Sequence, residues 1–308
     1  MQFTIVRSGL GESTHDVDVC AVDAAGTELL VSGDPDRPMY YRSTVKPFQA
    51  TAALEAGVAV PAEHLAVMCA SHGGWPEHLT IVGEILRSAG LDERALQTPA
   101  AWPISKGAED LLQRRGTVSA RRIFDNCSGK HAGMLAACVA AAWPTESYRD
   151  PAHPLQAQII DMIAEVTGVE GAPVGVDGCG APAARGTVRG LARGFSALTI
   201  DDRYAAVADA MSRFPALVAD NERPDGVLGR WWGGPVKAGA EGSIGLSRHG
   251  VGIAAKARSG SAAAATAAAV ITADRLGMLS DAMRQSLDRV AEPVILGGGR
   301  PVGAMTIT

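Results

Sequence analysis

The chain has 308 residues, of which 47% are hydrophobic and 20% are charged, and its formal net charge is −5. This length allows one large domain or two lobes, and the composition is ordinary for a globular enzyme. The negative charge and the lack of a dense Lys/Arg run argue against a nucleic-acid-binding surface.

Localisation is predicted from the first residues and from the longest apolar run. The start, MQFTIVRSGLGES, lacks the basic, apolar and small-residue regions of a signal peptide. The longest apolar run, residues 132–143, is too short to cross a bilayer. We therefore expect a cytoplasmic protein, in which an odd number of cysteines, five, favours free thiols or metal ligands over disulfides.

The first third of the chain predicts strands followed by helices. Short strands are expected where apolar and β-branched residues lie between turn glycines, at 3–6, 16–22 and 28–32. Helices are expected at 47–56, which Gly57 ends, and at 77–89, which Pro76 begins. Between these two helices, residues 64–70 are predicted to form a buried apolar strand.

The rest of the chain predicts a helical block followed by another strand. Residues 90–121 are expected to be rich in loops. The expected helices are 130–142, 155–166, 204–213, 214–218 and 262–276, and the expected strands are 174–176 and 250–257. Strands that bracket a helical block predict an α/β protein with a mixed or antiparallel sheet, flanking helices and a mostly helical lobe. Without a repeat or linker, we expect a single domain over 1–308, and two interleaved lobes within it are the alternative arrangement.

Residues 43–46 (STVK) are the first of four chemistry-bearing segments. Ser43 and Lys46 are three residues apart and share one helix face, and Pro47 is tolerated only in a first helical turn. The dipole there favours an alkoxide and a neutral amine, which makes Ser43 a candidate nucleophile and Lys46 its base. Ser-Lys pairs of this spacing act in penicillin-recognising enzymes. Taken alone, this segment favours a helix cap with a solvated lysine.

Residues 69–74 (CASHGG) follow as the second segment, at the end of the expected strand. Catalytic groups commonly follow strand ends, so Ser71 is a candidate proton relay. The glycines allow a substrate to approach the backbone closely. A glycine turn with a locally bonded histidine is equally compatible with this segment.

The third and fourth segments are residues 125–134 (DNCSGKHAGM) and 177–182 (DGCGAP). In the third, six polar or reactive side chains precede an apolar helix, and their burial demands partners. The two loops supply potential metal ligands, with zinc the natural metal for thiolates: Cys127, His131, Asp177 and Cys179. The spacing differs from that of a zinc finger or ribbon, so two buried structural thiols or a redox-sensitive pair remain alternatives.

Two lysines near the C-terminal strands also carry an expectation. Lys256 lies in the apolar strand GIAAKA, where a lysine is costly unless it points into a polar cleft. The alternative is an edge position that faces water. Lys237 and Glu241, in PVKAGAEG, are candidates for a structural ion pair near that cleft.

Together these segments resemble those of a known family. RSTVKPFQA, ASHGG, NCSGKHAGM, GVDGCGAP, KAGAEG and GIAAKARSG occur in this order between residues 42 and 260. They resemble the L-asparaginase II family of the Rhizobium etli type, the cysteine-containing asparaginases. The start, IVRSGLGESTHDVDV, extends the resemblance, and LGGGRPVG near the C terminus adds a weaker match. That family is similar in fold to serine β-lactamases and glutaminases.

The resemblance implies an activity and a set of catalytic residues. The implied reaction is hydrolysis of L-asparagine to L-aspartate and ammonia through an acyl-enzyme. Ser43 would be the nucleophile and Lys46 its base. Ser71 would be the second hydroxyl of a proton relay, and Lys256 the second lysine.

The resemblance also implies a metal and a partner. Zinc, acting more to hold substrate than as a Lewis acid, would be bound by Cys127, Lys130 and Cys179. Substrate contacts are then expected from a further set of residues: Arg42, His72, Gly73, Asn126, Ser128, His131 and Asp177. A homodimer is the family expectation.

The sequence departs from the family pattern at two positions. Ser8 separates an arginine and a glycine that are adjacent in the family, and Trp75 follows Gly74 where the family has a glutamate.

Three rival functions are weighed against the asparaginase. A β-lactam hydrolase should contain Ser-Asp-Asn and Lys-Thr-Gly, which the chain lacks. A zinc-stabilised binding protein would use its thiols structurally, and a cysteine hydrolase would use Cys127 as nucleophile. The choice between asparagine and glutamine stays open.

Overall fold

An antiparallel sheet forms the centre of the protein, a computed structural model that describes residues 1–308. The twelve strands are β1 (Gln2–Arg7), β2 (Leu10–Val22), β3 (Glu28–Ser32), β4 (Met39–Tyr40), β5 (Gly175–Val176), β6 (Pro182–Ala183), β7 (Arg185–Gly186), β8 (Val236–Gly239), β9 (Ser243–Arg248), β10 (Val251–Ala257), β11 (Val294–Gly297) and β12 (Arg300–Ile307). Eight of them form the main sheet, in the order β11-β12-β1-β2-β10-β9-β8 with β3 paired to β2. All its pairings are antiparallel.

Twelve helices surround this sheet. They are α1 (Lys46–Glu55), α2 (Ala62–Cys69), α3 (Pro76–Ser88), α4 (Lys106–Arg114), α5 (Ser128–Ala140), α6 (Pro154–Thr167), α7 (Val188–Ala197), α8 (Ala205–Arg213), α9 (Pro215–Val218), α10 (Pro224–Trp232), α11 (Ala262–Arg275) and α12 (Asp281–Ala291). None of them combines the length and the apolar composition that crossing a membrane requires. The predicted α/β class with an antiparallel sheet and a helical lobe is therefore confirmed.

Strand β2 contributes to a separate hydrophobic core on each face of the sheet. Val19 and Ala21 join the core that contains α11, whereas Cys20 and Val22 join the core that contains α7. Successive side chains of a strand point to opposite faces, so this alternation places one helix on each side. This part of the sheet is thus buried between two helical layers.

Two glycines bring α7 unusually close to the sheet. A Cβ atom at Gly252 would overlap the backbone oxygen of Ala192, and one at Gly245 would overlap the ring of Phe195. Only glycine permits this approach of helix to strand. The contact ties the helical lobe, to which α7 belongs, to the strands that carry part of the site.

The helical lobe is organised around α1 and α5. In α5, 11 of its 13 residues are buried, and α1 is buried along most of its length. Helices that are covered on every side belong to an interior, so their few polar side chains lie inside the protein. Lys46 at the start of α1 and Lys130 in α5 are both buried for this reason.

Most expected elements lie within one or two residues of the observed ones, but residues 64–70 do not form a strand. Residues 64–69 belong to α2, which begins after Pro61, and Ala70 is the extended residue that follows the helix. An apolar run of this length does not distinguish a strand from a buried helix, and Ala, Glu, Leu and Met favour the helix. The segment expected to be rich in loops contains α4, where the Ser105 hydroxyl accepts a hydrogen bond from Ala108 N. The strands β4, β6, β7, β8, β9, β11 and β12 and the helices α7, α10 and α12 were not expected.

Candidate active site

Ser43 lies in a single 3-10 turn, Arg42–Val45, directly before α1. Arg42 has a φ of 52°, a left-handed conformation that is uncommon outside glycine. Its Nε donates a hydrogen bond to Asp177 Oδ1 at 2.7 Å, which fastens the turn to the loop after β5. Such backbone strain persists where the surrounding structure enforces it, and it is frequent at functional sites. The Ser43 side chain remains half-buried rather than enclosed.

Two buried amines meet at the hydroxyl of Ser71. Lys46 Nζ donates to Ser71 Oγ at 3.1 Å and to Ala70 O at 2.5 Å. Lys237 Nζ lies 2.9 Å from the same Ser71 Oγ and donates to Ala238 O at 2.6 Å. Burial, and then the charge of Lys46, lowers the pKa of Lys237 well below its ordinary value. Lys237 is therefore the amine of this pair that is ready to accept a proton.

The predicted direct hydrogen bond between Ser43 and Lys46 is not formed. The Lys46 amine is directed instead to Ala70 O and Ser71 Oγ. Ser43 and Lys46 still occupy successive turns at one helix start, because the Lys46 backbone N–H donates to Ser43 O. The structure thus brings Lys46 and Ser71 together, with Ser43 on the adjoining turn.

The structure does not bring Lys256 to this cluster. Its ammonium, at the end of β10, donates to the backbone oxygens of Glu241 and Ala257 and is partly exposed. Lys237 meets Ser71 instead, and the expected ion pair between Lys237 and Glu241 is absent for the same reason. A sequence signal was present, because Lys-Ala-Gly at 237–239 differs in one residue from the Lys-Thr-Gly of penicillin-recognising enzymes.

Edge strand β8 runs beside the turn that carries Ser43. A Cβ atom at Gly239 would lie 3.0 Å from Thr44 Cγ2 and 3.1 Å from Tyr41 O. Glycine therefore lets this strand lie directly against the turn. The approach positions Lys237, two residues earlier in β8, at the same site as the start of α1.

His72 and Ser128 join the two loops on either side of the site. His72 N donates to Asn126 O at 3.2 Å, and His72 Nε2 lies 2.9 Å from Ser128 Oγ. Because Ser128 Oγ donates to Ile123 O at 2.8 Å, we assign the ring proton of His72 to Nε2. Both side chains are fully buried, so they fix the loops to each other. Gly73 lies beside them, and its carbonyl accepts from the chain before α4.

Cys127, Lys130 and Cys179 come together at the start of α5. Lys130 Nζ donates to Cys179 Sγ at 3.1 Å, and Asp177 Oδ2 lies 4.0 Å from the same nitrogen. Cys127 Sγ donates to Asn126 Oδ1 at 3.1 Å. The neighbouring Cys127 thiol, assisted by the charge of Lys130, lowers the pKa of Cys179 to about 5. The interaction with Cys179, together with burial, raises the pKa of Cys127 to about 12. Cys179 is therefore a thiolate that a thiol and an ammonium group stabilise.

This donor set fits a zinc ion if lysine is one of the ligands. Two sulfurs and one nitrogen are donors that zinc prefers, whereas no three His, Cys, Asp or Glu side chains are grouped to hold a metal. Burial lowers the pKa of Lys130, but the charges of Cys179, Cys127 and Asp177 outweigh it and raise that pKa above its ordinary value. Zinc would therefore have to displace a proton from Lys130 on binding.

His131 lies next to this cluster as a neutral ring. Its Nδ1 is 2.7 Å from the hydroxyl of Tyr148, which itself accepts from Gln97 N, so Tyr148 donates to Nδ1. Burial lowers the pKa of His131 to about 3. The proton is thus on Nε2, which is buried and has no partner in the protein. A buried donor without a partner is costly, so it is available to a group bound here.

Trp75 and Asp220 form a contact that the sequence did not predict. Trp75 Nε1 donates to Asp220 Oδ2 at 3.2 Å, and Asp220 is only 5% exposed. A Cβ atom at Gly73 would overlap this carboxylate. The carboxylate therefore lies against the glycine turn that follows Ser71. It also contacts Trp75, one of the residues at which the chain departs from the family pattern.

The family model for L-asparaginase II matches residues 3–307. No curated protein sequence matches the chain.

Three crystal structures of Mglu resemble the protein. They are the native form (14% identity, TM-score 0.48, 88% of this chain and 67% of that chain), the glutamate form (12%, 0.49, 85% and 61%) and the native form in 4.3 M NaCl (16%, 0.48, 92% and 66%). The chain thus spans 61–67% of the length of these structures. At such TM-scores the likeness supports no statement about function.

Proposed function

Because the chain belongs to the L-asparaginase II family, we propose that it hydrolyses L-asparagine to L-aspartate and ammonia through a serine acyl-enzyme. Family membership supports the coarser assignment, an asparaginase-type amidohydrolase. The observation that carries the proposed mechanism is the Ser71 hydroxyl held between Lys46 and Lys237, beside the turn of Ser43.

Acylation begins with the proton of Ser43. Substrate binding brings Ser43 Oγ within hydrogen-bond distance of Lys46 Nζ, since catalytic hydrogen bonds often form fully only in the substrate complex. As Ser43 Oγ attacks the amide carbon, its proton passes to Lys46, while Lys46 gives one to Ser71 and Ser71 gives one to Lys237. The result is an alkoxide that becomes the new ester oxygen and a proton stored on Lys237. The backbone N–H of Ser43 stabilises the oxyanion that forms.

Collapse of the tetrahedral intermediate completes acylation through the same groups. The proton on Lys237 returns through Ser71 to the leaving nitrogen as the carbon–nitrogen bond breaks, and ammonia departs. In deacylation, water attacks the ester and passes a proton along the same chain to Lys237, and this proton returns to Ser43 Oγ as the ester bond breaks and aspartate leaves. Ser71 suits the relay rather than the attack, because it is 7% exposed and is already bonded to both amines.

Recognition of the amino-acid end of the substrate is assigned to the neighbouring cluster. Arg42 suits a carboxylate, and Asp177, to which it is bonded, suits an ammonium group. Cys127, Lys130 and Cys179 would hold zinc, which when bound supplies a positive charge that holds the substrate. We propose the zinc ion and a homodimer on the family resemblance, and metal analysis and sedimentation measurements test them.

Trapping the acyl-enzyme identifies the nucleophile. We expect acid quenching during asparagine turnover, followed by proteolysis and mass spectrometry, to locate the acyl group on the peptide that contains Ser43. Ser43→Ala should abolish both the adduct and ammonia release, Ser71→Ala should slow both steps, and Ser212→Ala, outside the site, should change neither. An adduct on the peptide that contains Ser71 would contradict the assignment.

A panel of amides decides between the proposed function and its rivals. Ammonia and aspartate are measured with asparagine, glutamine and penicillin, each with and without a metal chelator. Release from asparagine alone supports the proposal, and turnover of penicillin supports the β-lactam hydrolase instead. Unfolding by the chelator, without ammonia from any amide, supports the zinc-stabilised binding protein.

A further inference from the structure

An ion pair lies directly behind Ser71. Arg223 donates to both carboxylate oxygens of Asp225, from Nε at 3.1 Å and from Nη2 at 2.7 Å. The remaining Nη1 donates to the backbone oxygen of Ser71 at 2.8 Å. Asp225 is 4% exposed, whereas the Arg223 side chain is 29% exposed, so the carboxylate of this bidentate pair is the part shielded from water. Bidentate geometry fixes the guanidinium plane, and with it the direction of the contact to Ser71.

Residues 218–223, which include Arg223, also bind the backbone N–H of Ser71. Ser71 N donates to Val218 O at 3.1 Å, and Ser71 forms an isolated parallel bridge with Ala219. Ser71 itself follows the end of α2 and belongs to no strand of the main sheet. Its backbone polar groups are therefore satisfied by residues 218–223, while its hydroxyl is left to the two lysines.

Both members of the pair also act on Lys237 through their charges. Burial and the charge of Lys46 lower the pKa of Lys237, Asp225 raises it, Arg223 lowers it, and Cys127 raises it. While Arg223 and Asp225 are both present, their effects on Lys237 oppose each other. Removal of either charge leaves the other uncompensated inside the protein, where charge interactions are strong.

We propose that Arg223 is a positioning residue for Ser71 and that, paired with Asp225, it offsets the charge of that carboxylate at Lys237. The proposal rests on the function proposed above, in which Ser71 and Lys237 carry the proton. The proposal has two parts. The first, the contact, is the hydrogen bond from Arg223 Nη1 to Ser71 O. The second, the balance of charge, is the opposition of the Arg223 and Asp225 charges at Lys237. The two parts respond to different substitutions.

The balance of charge is tested without substrate. Protein containing ¹⁵N-labelled lysine is titrated by NMR, and the Lys237 signal is assigned by its loss in Lys237→Met. In Asp225→Asn the remaining Arg223 charge should move the titration of Lys237 to lower pH. In Arg223→Gln the remaining Asp225 charge should move it to higher pH, each by on the order of one pH unit. Shifts in the same direction, or none, would overturn this part.

The contact is tested by Arg223→Lys. This variant keeps the positive charge but loses the planar guanidinium that donates two hydrogen bonds to Asp225 and one to Ser71 O. We expect kcat to fall about tenfold, with KM and the acid limb of the pH profile unchanged. Arg203→Lys is the matched control, because Arg203 forms a partly exposed pair with Glu55 and contacts no residue of the site. Equal activity in the two lysine variants would show that the contact is only structural.

These measurements remain decisive if a variant fails to fold or the function is wrong. Asp225→Asn and Arg223→Lys are conservative, and one of them addresses each part if Arg223→Gln does not fold. A wild-type protein that releases no ammonia from any amide would contradict the proposed function. The NMR titration would still decide whether the pair controls Lys237.

Discussion

Replacement of Lys237 by methionine tests the proton chain at its acceptor. Lys237 is 1% exposed, and its amine contacts only Ser71 Oγ and Ala238 O. Methionine is of similar length and fills the same space without an amine. The change removes an amine whose pKa burial lowers, so it removes the group that takes up the Ser43 proton.

The expected effects on activity and on stability differ widely. A positioned general acid–base group contributes about 10²–10⁴-fold, so the barrier should rise by about 3–5 kcal/mol. On the stability side, Ala238 O loses a hydrogen bond, at a cost of about 1–3 kcal/mol. Relief from burying a polar amine offsets part of this cost. The variant should therefore fold, with turnover reduced by about 10²–10⁴-fold.

Aspartate formation is the appropriate assay, because it also allows chemical rescue. Methylamine should restore part of the activity of Lys237→Ala by occupying the vacated space, and ammonia detection would be disturbed by the added amine. Lys256→Met is the matched control, since Lys256 is a partly exposed lysine on a nearby strand without contact to Ser71. Activity of Lys237→Met within tenfold of wild type, or equal loss in Lys256→Met, would refute the reasoning.

Three further predictions address the fold, the buried histidine and the metal. Gly245→Ala should lower the free energy of unfolding by about 1–3 kcal/mol in urea, because the added methyl group would overlap Phe195; an unchanged midpoint would contradict the packing of α7. Burial lowers the pKa of His72, so just below pH 6.5 the unfolded state binds a proton at this residue and the folded state does not. As the pH falls, the free energy of unfolding of the wild type should therefore decrease by up to about 1.4 kcal/mol per pH unit relative to His72→Gln, as measured by thermal unfolding. Parallel pH profiles of the two proteins would argue against a neutral His72. Cys179→Ser should weaken zinc binding about tenfold or more in competition with a chromophoric chelator, whereas Cys138→Ala, at a buried cysteine outside the site, should not.

Local spacing in the sequence was sufficient for several parts of the site. Pro47 limits its neighbours to a first helical turn, and the observed α1 starts at Lys46 with Ser43 in the turn before it. Cys127 and Lys130 are three residues apart at the start of α5, so one helical turn brings them together. These relations depend on backbone geometry over a few residues, which a sequence pattern fixes directly.

Strand pairing determines which lysine contacts Ser71 together with Lys46. Lys237 and Lys256 both lie in short apolar segments, and the only local difference is the Lys-Ala-Gly at 237–239, one residue from Lys-Thr-Gly. Strand β8 is the edge strand that packs against the Ser43 turn, whereas the Lys256 end of β10 pairs with β2 and β9. The position of a strand within a sheet depends on partners far away in the chain, so sequence spacing did not reveal it.

The chain by itself determined the family pattern, the class of fold and the residues that share a helical turn. The tertiary structure determined three contacts to Ser71. Lys46 and Lys237 donate hydrogen bonds to its hydroxyl, and Arg223 donates one to its backbone oxygen. Contacts within one turn follow from the geometry of a short backbone segment. Contacts between residues separated by 25 to 166 positions follow only from how the sheet and the helical lobe pack.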